Sequence, residues 1–147
     1  MGVTETLATF LSETGFNDLS ARVVERGKEL IIDFIGGALA GARTHVAEIL
    51  TEYAKEKGGK REAGVIGKGI RITAANAAYL NGTFNHATEL ESVSQRTSPN
   101  PLAVIASSLA LGEKMRLSGS RVFLELFVKV TKDWSKDPKS LKELGYK

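Results

Sequence analysis

The chain reads as an all-α protein, a helical bundle of about six helices with one short extended connection. Three observations carry this. Apolar residues recur at close to the 3.6-residue period through most of the chain. Thr, Ser, Asn or Asp stands in front of most of those periodic stretches, where a helix needs a side-chain acceptor for its first free N–H groups. One stretch alone, Gly64–Ile72, interrupts the helical period with interleaved glycines.

The first helix is expected around Leu7, Phe10 and Leu11, behind the possible caps Thr4 and Thr6, with Gly15 as its stop. Asn17 or Asp18 starts a longer one. Its apolar positions are Leu19, Val23, Leu30, Ile31, Phe34, Ile35, Ala38 and Leu39. That helix ends in Gly36-Gly37-Ala38-Leu39-Ala40-Gly41-Ala42. Glycine costs a helix about 1 kcal/mol relative to alanine. A run of small residues there implies that another backbone lies very close, at Gly36, Gly37 and Gly41. Thr44 caps a third helix with Val46, Ile49, Leu50 and Tyr53 on one face, and Lys55–Arg61 breaks it as a solvated loop.

Gly64–Ile72 is a short strand pair or an extended connection. Its Gly67-Lys68 pair fails the phosphate-loop pattern, because Glu62 and Gly69 stand where a glycine and a Ser/Thr are needed. The glycines are therefore turn punctuation. Thr73 caps a helix that runs toward His86 and Glu91, followed by a polar loop from Ser92 to Asn100. Pro101 suits the first turn of the next helix, Leu102 to Met115, which is apolar on most sides and hence expected to be buried. Ser118-Gly119-Ser120 precedes the nearly continuous apolar run Val122–Val130. Periodicity alone permits a strand there, whereas the cap and the helical neighbours favour a helix. After residue 131 the composition shifts. Residues 1–131 read as the helical domain and 132–147 as a polar, lysine-rich tail, with Asp137-Pro138 starting a short helix.

Composition bounds the function. The 147 residues fit one domain, and 42% hydrophobic with 25% charged residues fits a folded one. The balance of 20 Lys+Arg against 17 Asp+Glu leaves only +3, too little for a nucleic-acid binder without interleaved stacking aromatics. With no cysteine and two histidines, thiolate chemistry, zinc–thiolate sites and multi-histidine metal sites are excluded, and no cofactor is implied. No segment approaches the roughly 18 apolar residues of a membrane span, and the first residues lack a basic leader region. A soluble, cytoplasmic protein is expected.

Polar chemistry concentrates between Asn81 and Ser98. At helical spacing His86 and Glu89 share a face, and Arg96, Thr97 and Ser98 lie before a helix start that favours an anion. A carboxylate base, a histidine and an anion-holding loop suit proton abstraction next to a substrate carboxylate. A surface helix followed by a capped loop has the same spacing, and spacing alone favours that plainer reading.

Ala77-Ala78-Tyr79-Leu80-Asn81-Gly82-Thr83-Phe84-Asn85-His86-Ala87-Thr88-Glu89-Leu90-Glu91 resembles the signature stretch of the MmgE/PrpD family, which includes 2-methylcitrate dehydratase and cis-aconitate decarboxylase. Asp33–Gly41, Val65–Gly69, Ala106–Glu113 and Leu117–Gly119 resemble further stretches of that family in the same order, so that the resemblance covers roughly residues 4 to 130. It implies a lyase or isomerase acting on a small polycarboxylate. His86 and Glu89 are then the catalytic positions, and the Asn81-Gly82 turn is carried over with them. Asn81, Arg96, Thr97 and Ser98 are assigned to substrate binding. Two departures stand out. The family's Asp pair and following Thr fall at Glu91-Ser92 and Val93, and its His-Pro falls at Ser98-Pro99. Family members are also much longer, and later sequence completes their helical domain and adds a lid.

Two functions follow. One is a subunit or truncated member of such an enzyme, with Glu89 transferring the proton, His86 orienting it, and another chain supplying the missing parts. The alternative is a non-catalytic scaffold or partner-binding subunit derived from the family. Both expect a homo-oligomer or a heteromer, because the two apolar helices after Pro101 are too hydrophobic to stand half-exposed in a small bundle. Neither expects nucleic acid or a membrane as partner.

Overall fold

The computed structural model describes residues 2–90, 102–119 and 122. Among these it has five α-helices and one two-stranded sheet, so the all-α expectation holds in the main and the count of six helices does not. The expected helix from Ser118 to Val130 falls almost wholly outside the described residues, as does the short helix of the 132–147 tail.

Helix α1 spans Val3–Glu13 and starts after Gly2 without a side-chain cap, so Thr4 and Thr6 lie inside it. A short 3-10 turn at Phe16–Asp18 follows, with the Gly15 N–H donating to the Asp18 carboxylate at 2.8 Å. Asp18 thus closes this turn, and the long helix begins later than expected. α2 spans Ala21–Gly41 with Ser20 as its cap. Only its second half is anchored, through buried Phe34, Ala38 and Gly41. α3 spans His45–Lys57, and the Thr44 hydroxyl accepts the Ala47 N–H as the sequence predicts.

The extended stretch is a hairpin. β1 (Ala63–Val65) pairs antiparallel with β2 (Ile70–Ile72), with Ala63 opposite Ile72 and Val65 opposite Ile70. The four-residue loop between them needs left-handed backbone at Gly67 (φ 74°) and Gly69 (φ 63°), which is why glycines punctuate it. Strand alternation buries Ala63, Val65 and Ile72 and leaves Arg71 outside.

α4 (Ala74–His86) is the hub. Thr73 caps it, and it packs against α2, α3, both strands and α5 (Leu102–Met115). Its buried stripe is Ala77, Leu80, Asn81, Phe84 and Asn85. Small residues dominate the core around it: Ala38, Ala42, Ala47, Ala54, Ala63 and Ala110. Large side chains are few, and Phe34 and Phe84 each contribute about 1.5–3 kcal/mol by burial.

The glycine-rich end of α2 explains how α4 fits so closely. A Cβ built on Gly41 would sit 1.7 Å from the Phe84 carbonyl oxygen, and one on Gly37 would sit 2.4 Å from Asn85 Nδ2. Backbone meets backbone at the first and backbone meets side chain at the second. Gly36 is different. Nothing lies within 4 Å of its Cβ position, so it faces away from α4 and plays no part in close packing. The sequence-based expectation for Gly36 is corrected accordingly.

Candidate functional site

The sequence-predicted residues cluster on and after α4. Asn81-Gly82 is not a turn. Both residues lie in the middle of α4, and Asn81 is buried. Its Oδ1 accepts the Ile66 N–H at 2.8 Å and its Nδ2 donates to the Gly64 carbonyl at 3.0 Å. One side chain thus satisfies two backbone groups of the hairpin, which would otherwise be left unpaired against the helix. This geometry makes Asn81 the bracket that holds the hairpin on α4.

His86 is the last residue of α4, and the helix stops there rather than near Glu91. Residues Ala87 to Glu89 form a turn, with the Ala87 N–H donating to the Thr83 carbonyl at 2.9 Å and the Glu89 N–H to that of His86 at 3.0 Å. Glu89 therefore lies outside the helix, and the shared helical face expected for His86 and Glu89 does not form. Glu89 instead adopts left-handed backbone, φ 52°. For a residue with a Cβ that conformation costs about 1–2 kcal/mol, and glycine or asparagine is the usual occupant at a helix end. Both His86 and Glu89 are solvent-exposed. Arg96, Thr97 and Ser98 lie outside the described residues.

Sequence reasoning missed two groups. Asn85 is fully buried one helical turn beyond Asn81, and its Nδ2 donates to the Phe34 carbonyl of α2 at 2.7 Å. Its Oδ1 and the hydroxyl of Thr88 are buried without a hydrogen-bond partner among the described residues. Asn81 and Asn85 are polar residues at core positions of one helix, directly after the buried Leu80 and Phe84, and that pattern is a readable signal. The second group joins the hairpin to α5. The Glu113 carboxylate accepts from Arg71 at 2.7 Å and from the Gly64 N–H at 3.1 Å. Beside it Glu62 accepts the Ala74 N–H at 3.1 Å, at the start of α4, and pairs with Lys114 at 3.2 Å. The backbone N–H of Ala74, and next the Lys114 ammonium, hold the Glu62 carboxyl below its ordinary range. The links to α5 join residues far apart in sequence, 42 for Arg71 and Glu113 and 49 for Gly64 and Glu113, so no local pattern announces them.

Two grooves open on the described surface. One, of about 490 Å³, is lined by Leu39, Ala40, Ala42, Arg43 and Gly67. The other, of about 260 Å³, lies between the end of α3 and the hairpin. Neither is lined by His86 or Glu89. Among the described residues no group of three or more His, Asp or Glu side chains gathers as a metal would require. No single helix among them is both long and apolar enough to cross a membrane.

The family model for the MmgE/PrpD N-terminal domain matches residues 5–130. The chain belongs to the MmgE/PrpD family. Relatives agree along the same length. Cis-aconitate decarboxylase of Homo sapiens is 28% identical over 127 residues, which is 86% of this chain and 26% of that protein. Cis-aconitate decarboxylase of Aspergillus terreus is 31% identical over 133 residues, 86% of this chain and 27% of that protein. This MmgE/PrpD chain thus spans about a quarter of the length of these relatives. A short stretch is similar to a different protein: GTPase Era of Geobacter metallireducens is 59% identical over 39 residues, 26% of this chain and 13% of that protein. A match of that extent shows no membership in a second family.

Proposed function

We propose that this chain is a subunit or a part of an MmgE/PrpD-type lyase or isomerase acting on a small polycarboxylate. The family match over residues 5–130, with relatives named cis-aconitate decarboxylase, carries the reading. In it the Glu89 carboxylate moves a proton at the carbon next to a substrate carboxylate. His86, three residues earlier at the end of α4, orients that carboxylate. Arg96, Thr97 and Ser98 hold the substrate anion by charge and hydrogen bonds.

Two features support the choice of this corner of the molecule. Glu89 sits in strained left-handed backbone, and strain of this kind collects at functional sites. Two buried oxygens without donors, on Asn85 and Thr88, flank His86 in sequence. Asn81 enters the reading as the residue that fixes the hairpin against α4, and substrate contact by its amide requires one of those bonds to yield.

An interface with further protein surface has its own support. Ile32, Ile35 and Leu39 of α2 and Val46, Ile49 and Tyr53 of α3 are all more than a third exposed. Large apolar side chains exposed in this number usually mark an interface. Light scattering should give a mass above that of one chain, and a monodisperse monomer counts against the proposal. Glu89→Gln, an exposed substitution, should abolish turnover in the assembled particle while far-UV circular dichroism is unchanged. Retained turnover would remove Glu89 from the mechanism.

The second reading is a non-catalytic scaffold or partner-binding subunit. It is favoured by Val93 and Ser98 at the positions where the family resemblance expects a threonine and a histidine. It predicts no activity in any reconstituted particle and a complex indifferent to Glu89→Gln.

A further inference from the structure

The small positive charge of the whole chain hides a strong local one. Residues 55–71 hold six Lys and Arg against two Glu, a net +4, whereas all 147 residues together carry +3. The entire basic surplus lies in this segment, and the rest of the chain is slightly acidic. The fold wraps the segment around the groove of about 260 Å³ between the end of α3 and the hairpin, and places Lys55, Arg61 and Arg71 on its walls. We propose that this groove binds a small, multiply charged oxyanion, of the polyphosphate or polycarboxylate class, at a site separate from His86 and Glu89.

The three basic side chains are not equivalent. Arg71 is fixed in place, since it donates to the Glu113 carboxylate and to the Glu62 carbonyl, each at 2.7 Å. A guanidinium has five N–H donors, so three remain for a ligand. Among the described residues Lys55 pairs with Glu52 at 2.7 Å, an exposed pair within one helix that contributes little and yields readily to a stronger anion. Arg61 makes no ion pair among the described residues and stands free to close on a ligand. Of the two acids in the segment, Glu62 is already engaged by the Ala74 N–H and by Lys114.

The Glu52 and Glu113 carboxylates beside Lys55 and Arg71 oppose an anion here, and so does the end of a helix. The C-terminal end of α3 points toward the groove and carries partial negative charge. Two of its carbonyls, of Ala54 and Lys55, are tied off by the Gly58 N–H at 3.2 Å each. Lys55 and Lys57 in the last turn offset the remainder. The groove floor is apolar, formed by Ala54, Ile70 and Ile72, and such walls strengthen the field of the cations above them. Size favours a compact ligand: a diphosphate or a tricarboxylate fits the volume, and a folded protein segment does not.

Titration calorimetry and backbone amide NMR of the full chain test this, with inorganic pyrophosphate and citrate as separate probes and sodium chloride of equal ionic strength as control. Saturable one-to-one binding of either probe is expected, with shifts confined to residues 55–61 and 69–72. The tighter probe then identifies phosphate or carboxylate as the preferred chemistry. Arg61→Ala and Lys55→Ala, both exposed substitutions checked by circular dichroism, should each weaken binding, the first by about tenfold or more. Arg43→Ala, on the other groove, should leave it unchanged. The proposal is overturned by non-saturable shifts that sodium chloride reproduces, or by affinity that Arg61→Ala and Lys55→Ala leave intact.

Discussion

Alanine at position 41 and alanine at position 36 are the same chemical change five residues apart in one helix, and they should act with opposite sign. At Gly41 the new methyl would meet the Phe84 carbonyl oxygen at 1.7 Å. An ordinary carbon–oxygen contact is about 3.3 Å or more. α2 and α4 must therefore part locally by about 1.5 Å, because neither backbone can rotate out of the way. A gap of 0.5–1 Å already forfeits a quarter to a half of the dispersion energy between facing atoms. The residues that lose it include Phe34, Ala38, Leu80 and Phe84, the best-packed part of the core. Overpacking of this kind costs about 1–3 kcal/mol, and the lost burial adds to it. The helix gains about 1 kcal/mol from losing a glycine. The net expectation for Gly41→Ala is a loss of about 3 kcal/mol, or about 6–12 °C in Tm at 2–4 °C per kcal/mol. At Gly36 nothing lies within 4 Å, so Gly36→Ala keeps only the helix gain, about 0.5–1 kcal/mol, and Tm rises by about 1–4 °C. Thermal and urea unfolding followed by circular dichroism measure both. A Gly41→Ala variant within 0.5 kcal/mol of the parent, or a Gly36→Ala variant less stable than it, would refute the α2–α4 geometry on which the core rests.

Three further outcomes follow from the hairpin and the end of α4. Asn81→Ala removes two hydrogen bonds and leaves the Ile66 N–H without its acceptor, which should cost about 2–4 kcal/mol in urea unfolding, with faster hydrogen exchange at Ala63–Ile72. The Glu62 carboxyl is held below its ordinary value of 4.5, so its contribution to stability is full above that pH and is lost as the pH falls through the lower folded-state value. Glu62→Gln should therefore be less stable than the parent at pH 7, and the two unfolding midpoints should converge in acid; a gap that persists or widens there removes Glu62 from the α4 start. Glu89→Gly relieves left-handed strain of about 1–2 kcal/mol against an entropy cost of about 0.5–1, so Tm should hold or rise slightly while any activity assigned to the carboxylate disappears.

What the sequence made legible was local. Thr44 and Thr73 were readable as caps because a cap and its N–H lie three residues apart. The hairpin was readable as one of two options because Gly67 and Gly69 punctuate it. Long-range features were not. The glycines of α2 announced a close backbone, but which of the three faces it depends on the rotation of α2 against α4, and Gly36 falls on the open side. The end of α4 is hidden in the sequence for a different reason. Periodicity runs on past His86 because the residue that ends the helix in left-handed backbone is a glutamate, not the glycine that would have marked the stop. At the site, His86 and Glu89 were readable as a pair only by assuming helix between them. Asn81 reads as a substrate contact through the family resemblance, and its partners, Gly64 and Ile66, 17 and 15 residues away, leave no local sign of its structural role. Arg71 and Glu113, 42 residues apart, left no trace in either segment.

Asn81 is followed by Gly82, and this bears on how the chain ages. In a mobile chain Asn-Gly is prone to deamidation, because the unhindered glycine nitrogen can attack the side-chain carbonyl of the asparagine and expel ammonia. The fold blocks that attack twice. Helical backbone keeps the Gly82 nitrogen turned away, and the Ile66 N–H and Gly64 carbonyl hold the amide in one orientation. Water opens the resulting imide to aspartate or isoaspartate: the first puts an oxygen against the Gly64 carbonyl, where a donor is required, and the second reroutes the backbone through the side chain. A molecule that lingers unfolded long enough to deamidate thus loses the bracket it needs to fold again. The native state thus shields this amide, and the fraction of chains damaged with time becomes a record of how often they open.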